Sequence, residues 1–196
     1  MTIEDLPPFI REYYEVHEWR HASAVLAKDF SAEWNDICVV LADFRLQKSA
    51  ILKGGGNKSS IANQIDDAFA AQGWVEKQFK TEIVVDERRR QSPTHKVDYY
   101  KNHVGVEMEW NNKDPFYDRD LNNFRLLFEL QAISVGVIIT RSDELQEVFD
   151  GLGKGTAYGP STTHMSRLIP RLEGGAGGGC PILVFGITQK LYVEDL

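Results

Sequence analysis

A mixed α/β fold, with a central sheet flanked by helices, is what this chain of 196 residues predicts. Three observations carry the prediction. Residues 96–110, KVDYYKNHVGVEMEW, alternate like two strands on either side of Asn102-His103, a pair suited to a tight turn. Residues 135–140 and 182–187 are short, nearly continuous apolar runs, the pattern of strands covered on both faces. Stretches of helical period separate these runs from one another.

Taken in order, residues 9–26 mix aromatics and charges and read as one helix broken near His21. Residues 1–20 are then a helical extension of a single domain spanning 1–196. The segment SAEWNDICVVLADFRL places Trp34, Ile37, Cys38, Leu41 and Phe44 on one helical face, with Ser31 as N-cap. Residues 53–59 form a glycine-rich loop, and Ser59 or Ser60 caps a helix over 61–72 that stops at Gly73. Residues 74–86 read as a strand and 87–94 as a polar loop. After the hairpin, Pro115 ends the strand. Asp118 caps a helix to about residue 133, with Phe124, Leu127, Phe128 and Ala132 as its apolar face. Short helices follow at 143–149 and 165–172, separated by a long loop over 151–163. A glycine-rich turn at 173–179 leads into the last buried strand, and 190–193 can form another.

The composition narrows the function. The net charge of -7 argues against a general nucleic-acid binder, though not against one whose basic residues are gathered on one face. Two cysteines, Cys38 and Cys180, are too few for a disulfide framework, which points to a reducing compartment. No signal-peptide pattern and no apolar run of membrane-spanning length is present, so a cytoplasmic protein is expected.

The chemistry concentrates in the hairpin. With Asn102-His103 as its loop, Lys101 faces Val104, Tyr100 faces Gly105, Tyr99 faces Val106 and Asp98 faces Glu107. Glu109 shares the face of Glu107, while Val97, Tyr99, Val106, Met108 and Trp110 line the other. Opposed like charges are destabilising, and a bound hard cation with oxygen ligands is the economical explanation. A solvated acidic face is the plain alternative. The same register sets Lys96 opposite Glu109, either as a positive charge for the site or as a surface ion pair.

An Asp, a gap and Glu-x-Glu resemble the PD-(D/E)XK nuclease pattern, in which a Lys usually stands where Glu109 stands here. The longer stretch VDYYKNHVGVEMEWNNKDPF resembles the active-site segment of the BglII and BstYI group of type II restriction endonucleases, which have Glu-x-Gln after the same gap. Asn63, Gly73-Trp74, the segments HASAVL and EWNDI, and the strand at 135–140 fit the group in the same order, from about His21 to Ile187. The resemblance implies a restriction-endonuclease-like fold and a metal-dependent, homodimeric endonuclease cutting double-stranded DNA at a short palindrome, with Mg²⁺ as cofactor. It further implies that Asp98, Glu107 and the Met108 carbonyl hold the metal. Glu109, a carboxylate where the group has an amide, would add negative charge or act as a base for the attacking water.

Position suggests the DNA contacts. Asn111, Asn112 and Lys113 follow the catalytic strand directly and suit base edges. Tyr158, Ser161, Thr162, Thr163 and His164 carry hydroxyls and an imidazole in a second long loop. Lys53, Lys58 and the run Arg88-Arg89-Arg90 are candidates for phosphates, the alternative being solvated loops. Two other classes stay open. The acids could belong to a non-catalytic DNA-binding domain. His17-Glu18-Trp19-Arg20-His21 matches H-E-x-x-H, which on a helix can bind zinc as in a metalloprotease, though no third ligand follows. Gly153-Lys154-Gly155-Thr156 echoes a P-loop but lacks the first glycine and the preceding strand, and is rejected.

Overall fold

The structure, a computed structural model, describes residues 2–53 and 59–195. Most of the glycine-rich loop, including the candidate phosphate contact Lys58, lies outside the described residues.

Helix α1 (Pro8–Tyr13) opens on a proline and runs directly into strand β1 (Tyr14–Trp19). Helices α2 (Ala22–Asp29) and α3 (Ser31–Asp43) follow, then the two-residue strand β2 (Leu46–Gln47), α4 (Lys48–Leu52) and α5 (Ser60–Ala71). Strands β3 (Val75–Gln78), β4 (Glu82–Val85), β5 (Arg88–Gln91), β6 (Lys96–Lys101) and β7 (Val104–Met108) come next. Helix α6 (Phe116–Glu129), strand β8 (Val135–Arg141), helices α7 (Leu145–Gly151) and α8 (Met165–Glu173), strand β9 (Ile182–Ile187) and the short β10 (Tyr192–Val193) complete the chain.

The main sheet has six strands in the order β1-β9-β8-β7-β6-β3, with β7, β8 and β9 parallel and the others antiparallel to their neighbours. This is the expected mixed sheet. Alternate residues of its central strands feed two cores. Val106, Met108, Val137, Ile139, Leu183 and Phe185 face the helices α1, α3, α5 and α7, whereas Ile138 and Val184 face α6 and α8. Each fully buried aliphatic or aromatic side chain contributes roughly 1.5–3 kcal/mol. Cys38 and Cys180 are both free thiols. Among the described residues no helix is long and apolar enough to cross a membrane.

Several elements differ from the sequence reading. Residues 9–26 are not one helix, and 1–20 is not a helical extension. Tyr14–Trp19 is an edge strand pairing antiparallel with β9, Tyr14 opposite Ile187. Its alternation, YEVHEW, was a legible strand signal set between helical segments. Residues 87–94 are not simply a loop. Arg88–Gln91 pairs with Glu82–Val85 as a separate hairpin whose residues are all exposed. Ser31 and Asp118 are not caps but lie inside the first turns of α3 and α6, where Phe30 and Pro115 hold the cap positions. Ser59 does cap α5, its hydroxyl accepting from the Ala62 N–H at 3.1 Å.

The central hairpin has the expected register: Tyr99 opposite Val106, Tyr100 opposite Gly105, Lys101 opposite Val104. Asn102 and His103 have φ of 40° and 65°, the left-handed pair that a tight two-residue hairpin turn requires. The regularity ends at Asp98. Against β3, Val75 pairs with Tyr100 and Lys77 with Val97, so β6 carries one residue more than its partner over that span. This bulge turns Val97 into the core beneath α6, although Tyr99, two residues on, packs on the opposite face. The expected sharing of one face by Val97 and Tyr99 is therefore not formed.

Candidate active site

The acids collect where the parallel strands end. Beyond Tyr99 and Val106, side chains take over from the ladder. The Asp98 N–H donates to Glu107 Oε2 at 3.2 Å, and Asp98 Oδ2 accepts from the Met108 N–H at 3.0 Å. Each carboxylate is thus anchored through one oxygen on the other acid's strand. Glu107 is 1% exposed, and its Oε1 is buried without a hydrogen-bond partner. Burial first, then the charges of Asp120 and Asp98, push its carboxyl well above the usual range.

Glu109 lies one residue past β7. Its N–H donates to the Ile139 carbonyl at 2.9 Å, and its own carbonyl accepts from the Thr140 hydroxyl at 3.0 Å, itself bonded to the Tyr117 hydroxyl at 2.6 Å. Its side chain is 1% exposed. Oε2 accepts from Asn112 Nδ2 at 2.8 Å and Oε1 from Arg119 Nη2 at 3.2 Å. Burial, followed by the adjoining Asp120 carboxyl, pushes it up to about 9, with Asn112 and Arg119 pulling the other way.

Helix α6 brings two groups that no motif named. The half-buried Arg119 guanidinium lies 4.3 Å over the Phe116 ring and donates through Nε to Asp120 Oδ1 at 2.7 Å. Asp120 is 1% exposed, and its Oδ2 is buried without a partner. Arg119 is therefore the cation beside Glu109. Lys96 is not. Its side chain is 57% exposed, its backbone pairs with Gln78, and its Nζ reaches Glu76 Oε2 at 2.6 Å. The bulge in β6 carries Lys96 away from the position that a regular hairpin would give it.

The two loops expected to meet DNA lie side by side. Lys113 and Thr162 form an antiparallel bridge, the Asn112 N–H donates to Thr163 Oγ1 at 3.1 Å, and the Thr163 N–H donates to the Asn112 carbonyl at 2.8 Å. Lys113 and Ser161 are exposed, and Asn111 is half-buried at a φ of 57°. Other expected contacts are turned inward. Tyr158 is buried, stacked on Phe149 at 3.9 Å and edge-on to Trp110. Thr163 is buried, and His164 is buried with Nδ1 at 2.7 Å from the Thr162 carbonyl, its pKa lowered mainly by burial. Thr162 accepts from Arg141 Nη2 at 3.2 Å, and the amide of Asn112 is spent on Glu109. Arg141, a buried cation that no motif marks, also donates to the Tyr158 carbonyl at 2.7 Å and so fixes this loop. Arg88 is exposed on the separate hairpin and Lys53 is exposed at the end of α4.

The H-E-x-x-H reading loses its helix. His17 and Glu18 are successive residues of β1 and point to opposite faces. His17 Nε2 is 2.9 Å from Glu15 Oε1, and Glu18 accepts from the Ser23 N–H at 2.9 Å. His21 stands apart in a left-handed turn.

Among the described residues no three His, Cys, Asp or Glu side chains form a ready-made metal cage. The donors nevertheless suit a hard cation. They are all oxygens, they sit in excess over a single arginine, and two buried ones have no partner. Mg²⁺ in particular binds through one or two carboxylates and completes its shell with waters and substrate phosphate.

Residues 14–187 match the family model described as restriction endonuclease BglII/BglIII, from the first residue of β1 to the last of β9. None of the curated proteins compared with the chain matches it.

Proposed function

The chain belongs to the BglII/BglIII family of restriction endonucleases, and from that membership we propose that it hydrolyses double-stranded DNA at a short palindromic site, as a homodimer using Mg²⁺. Family membership gives a site-specific deoxyribonuclease. Metal dependence, the palindrome and the two-fold assembly are the proposal's own steps. A palindrome presents two equivalent strands, which a two-fold dimer matches. The observation that carries the metal reading is the pair Asp98 and Glu107, each tied to the opposite strand through one oxygen, with Glu107 Oε1 buried and unpartnered.

Asp98, Glu107 and the Met108 carbonyl would hold the cation. When bound, it supplies positive charge against the scissile phosphate and makes an adjacent water more acidic. Glu109 is the general base in this reading. Asn112 and Arg119 fix its two oxygens and so orient the carboxylate. In the cation-free protein its value of about 9 keeps it protonated at neutral pH. Positive charge beside Glu107 draws it down towards its base form. Arg119 neutralises part of the negative charge that the attack builds up. Lys113, Ser161 and Asn111 are the base-edge candidates that remain, and Arg88 and Lys53 the phosphate candidates. The loops differ from those of the related enzymes, so no target sequence is carried over from them.

Unmethylated plasmid and phage DNA incubated with the protein in Mg²⁺ and in EDTA tests the reading. Discrete fragments in Mg²⁺, none in EDTA and none with Asp98→Asn are expected. Cleavage that persists in EDTA or with Asp98→Asn would overturn it.

A further inference from the structure

Asp120 belongs to no motif, yet the site is built around it as much as around Asp98. It stands on α6, and Arg119 takes up only its Oδ1. Its Oδ2 is buried and unpartnered, as is Oε1 of Glu107. A buried polar atom with no partner is costly, and a charged one more so. Here two such atoms belong to two carboxylates that are each 1% exposed and that repel one another. The charge of Asp120 weighs on Glu107 more than that of Asp98 does. Arg119 sits between Asp120 and Glu109 and its single charge answers to both. Four carboxyls, of Asp98, Glu107, Glu109 and Asp120, gather around one guanidinium, and hydrogen bonds account for the other oxygens of Glu107, Glu109 and Asp120. A small divalent cation between the two carboxyls would give both orphaned oxygens a partner.

We propose that Asp120 is a further ligand of the divalent cation, gripping it through Oδ2 from the helix side while Glu107 grips it from the strand, with Arg119 as the positioning residue that turns Oδ2 inward. The proposal rests on the metal-dependent reading above. Three carboxylates, of Asp98, Glu107 and Asp120, with the Met108 carbonyl and solvent, make an all-oxygen shell of the kind that Mg²⁺ and Mn²⁺ take. They also tie α6 to β7, so that cation binding draws helix and strand together.

Mn²⁺ binding to the full chain after EDTA dialysis tests this, read by calorimetry or by electron paramagnetic resonance, with melting temperatures in EDTA and in Mn²⁺. Asp120→Asn keeps an acceptor for Arg119 and removes the charge. It is expected to weaken Mn²⁺ binding roughly 10–100-fold. It should raise the melting temperature in EDTA, because the repulsion between the buried carboxyls of Asp120 and Glu107 is relieved, and shrink the rise that Mn²⁺ brings. Mn²⁺ affinity within twofold of the parent would overturn the proposal and leave Asp120 as an ion-pair partner of Arg119 only. Asp98→Asn separates the two levels. If it loses Mn²⁺ while Asp120→Asn keeps it, only the role of Asp120 falls. If both keep it, the metal reading falls as well. Asp120→Ser is read the same way should the asparagine variant not fold.

Discussion

Glu109 shows how much a single position can carry. In a period-two strand its parity placed it beside Glu107, and the strand pattern was enough to find Asp98 and Glu107 as partners across the turn. Its own partners were not legible. Arg119 and Asp120 come from a helix whose pattern tells only which face is apolar, and Lys96 was drawn in by a register that a bulge cancels. Tyr158, Thr163 and His164 look like surface chemistry on paper, but a buried Arg141 binds the Tyr158 carbonyl and folds their loop inward. The Glu109 carboxyl has a testable consequence. Its value rises from the ordinary 4.5 to about 9 in the folded, cation-free protein. Between those values the folded state holds a proton that the unfolded state has lost. Stability therefore falls as pH rises through this window, by up to about 1.4 kcal/mol per pH unit for one group. Glu107 is shifted in the same direction and adds to the slope. Urea midpoints in EDTA should be lower at pH 8 than at pH 6, and Glu109→Gln should flatten the difference. A parent midpoint that increases over this range would contradict the assignment.

Elements supported by a core were the ones the pattern revealed. Residues 135–140 and 182–187 are the buried centre of the sheet, and the helix over 61–72 starts and stops where its cap and its glycine set it. Strand β5, RRRQ, has no apolar pattern because its hairpin stands clear of both cores. Helix α6 is the element on which the site depends. It reaches the sheet through Phe124, and a Cβ on Gly136 of β8 would come within 2.6 Å of that ring. Gly136→Ala should therefore push α6 outward, with a loss of about 1–3 kcal/mol in urea unfolding. Because α6 carries Arg119 and Asp120, cleavage should fall further than the loss of stability accounts for. Normal turnover in a destabilised Gly136→Ala protein would show that the helix position is not critical to the site.

At the scale of the whole molecule, a chain of net charge -7 must bind a polyanion with a minority of basic residues. Arg88, Lys53 and Lys113 are exposed, and each phosphate neutralised contributes a slope of about −0.9 in log affinity against log salt. Arg88→Ala should reduce that slope by about 1, measured by fluorescence anisotropy on a cleavable duplex in EDTA. An unchanged slope would remove the arginine hairpin from the interface. The mixed sheet was legible because it comes from hydrophobic periodicity, which covers the whole chain. The meeting of residues 111–114 with 161–163 was not, because it rests on backbone bonds between distant loops that leave no pattern in either. That junction sets a rule for anyone redesigning this protein. The loop is joined to the Glu109 carboxyl by the amide of Asn112, 2.8 Å away, so the backbone of the loop and that amide are fixed points. Lys113 and Ser161 project from the same junction into solvent. A library that varies those two side chains while holding Asn112, Thr163 and Arg141 constant alters the outward face and leaves the support of Glu109 intact.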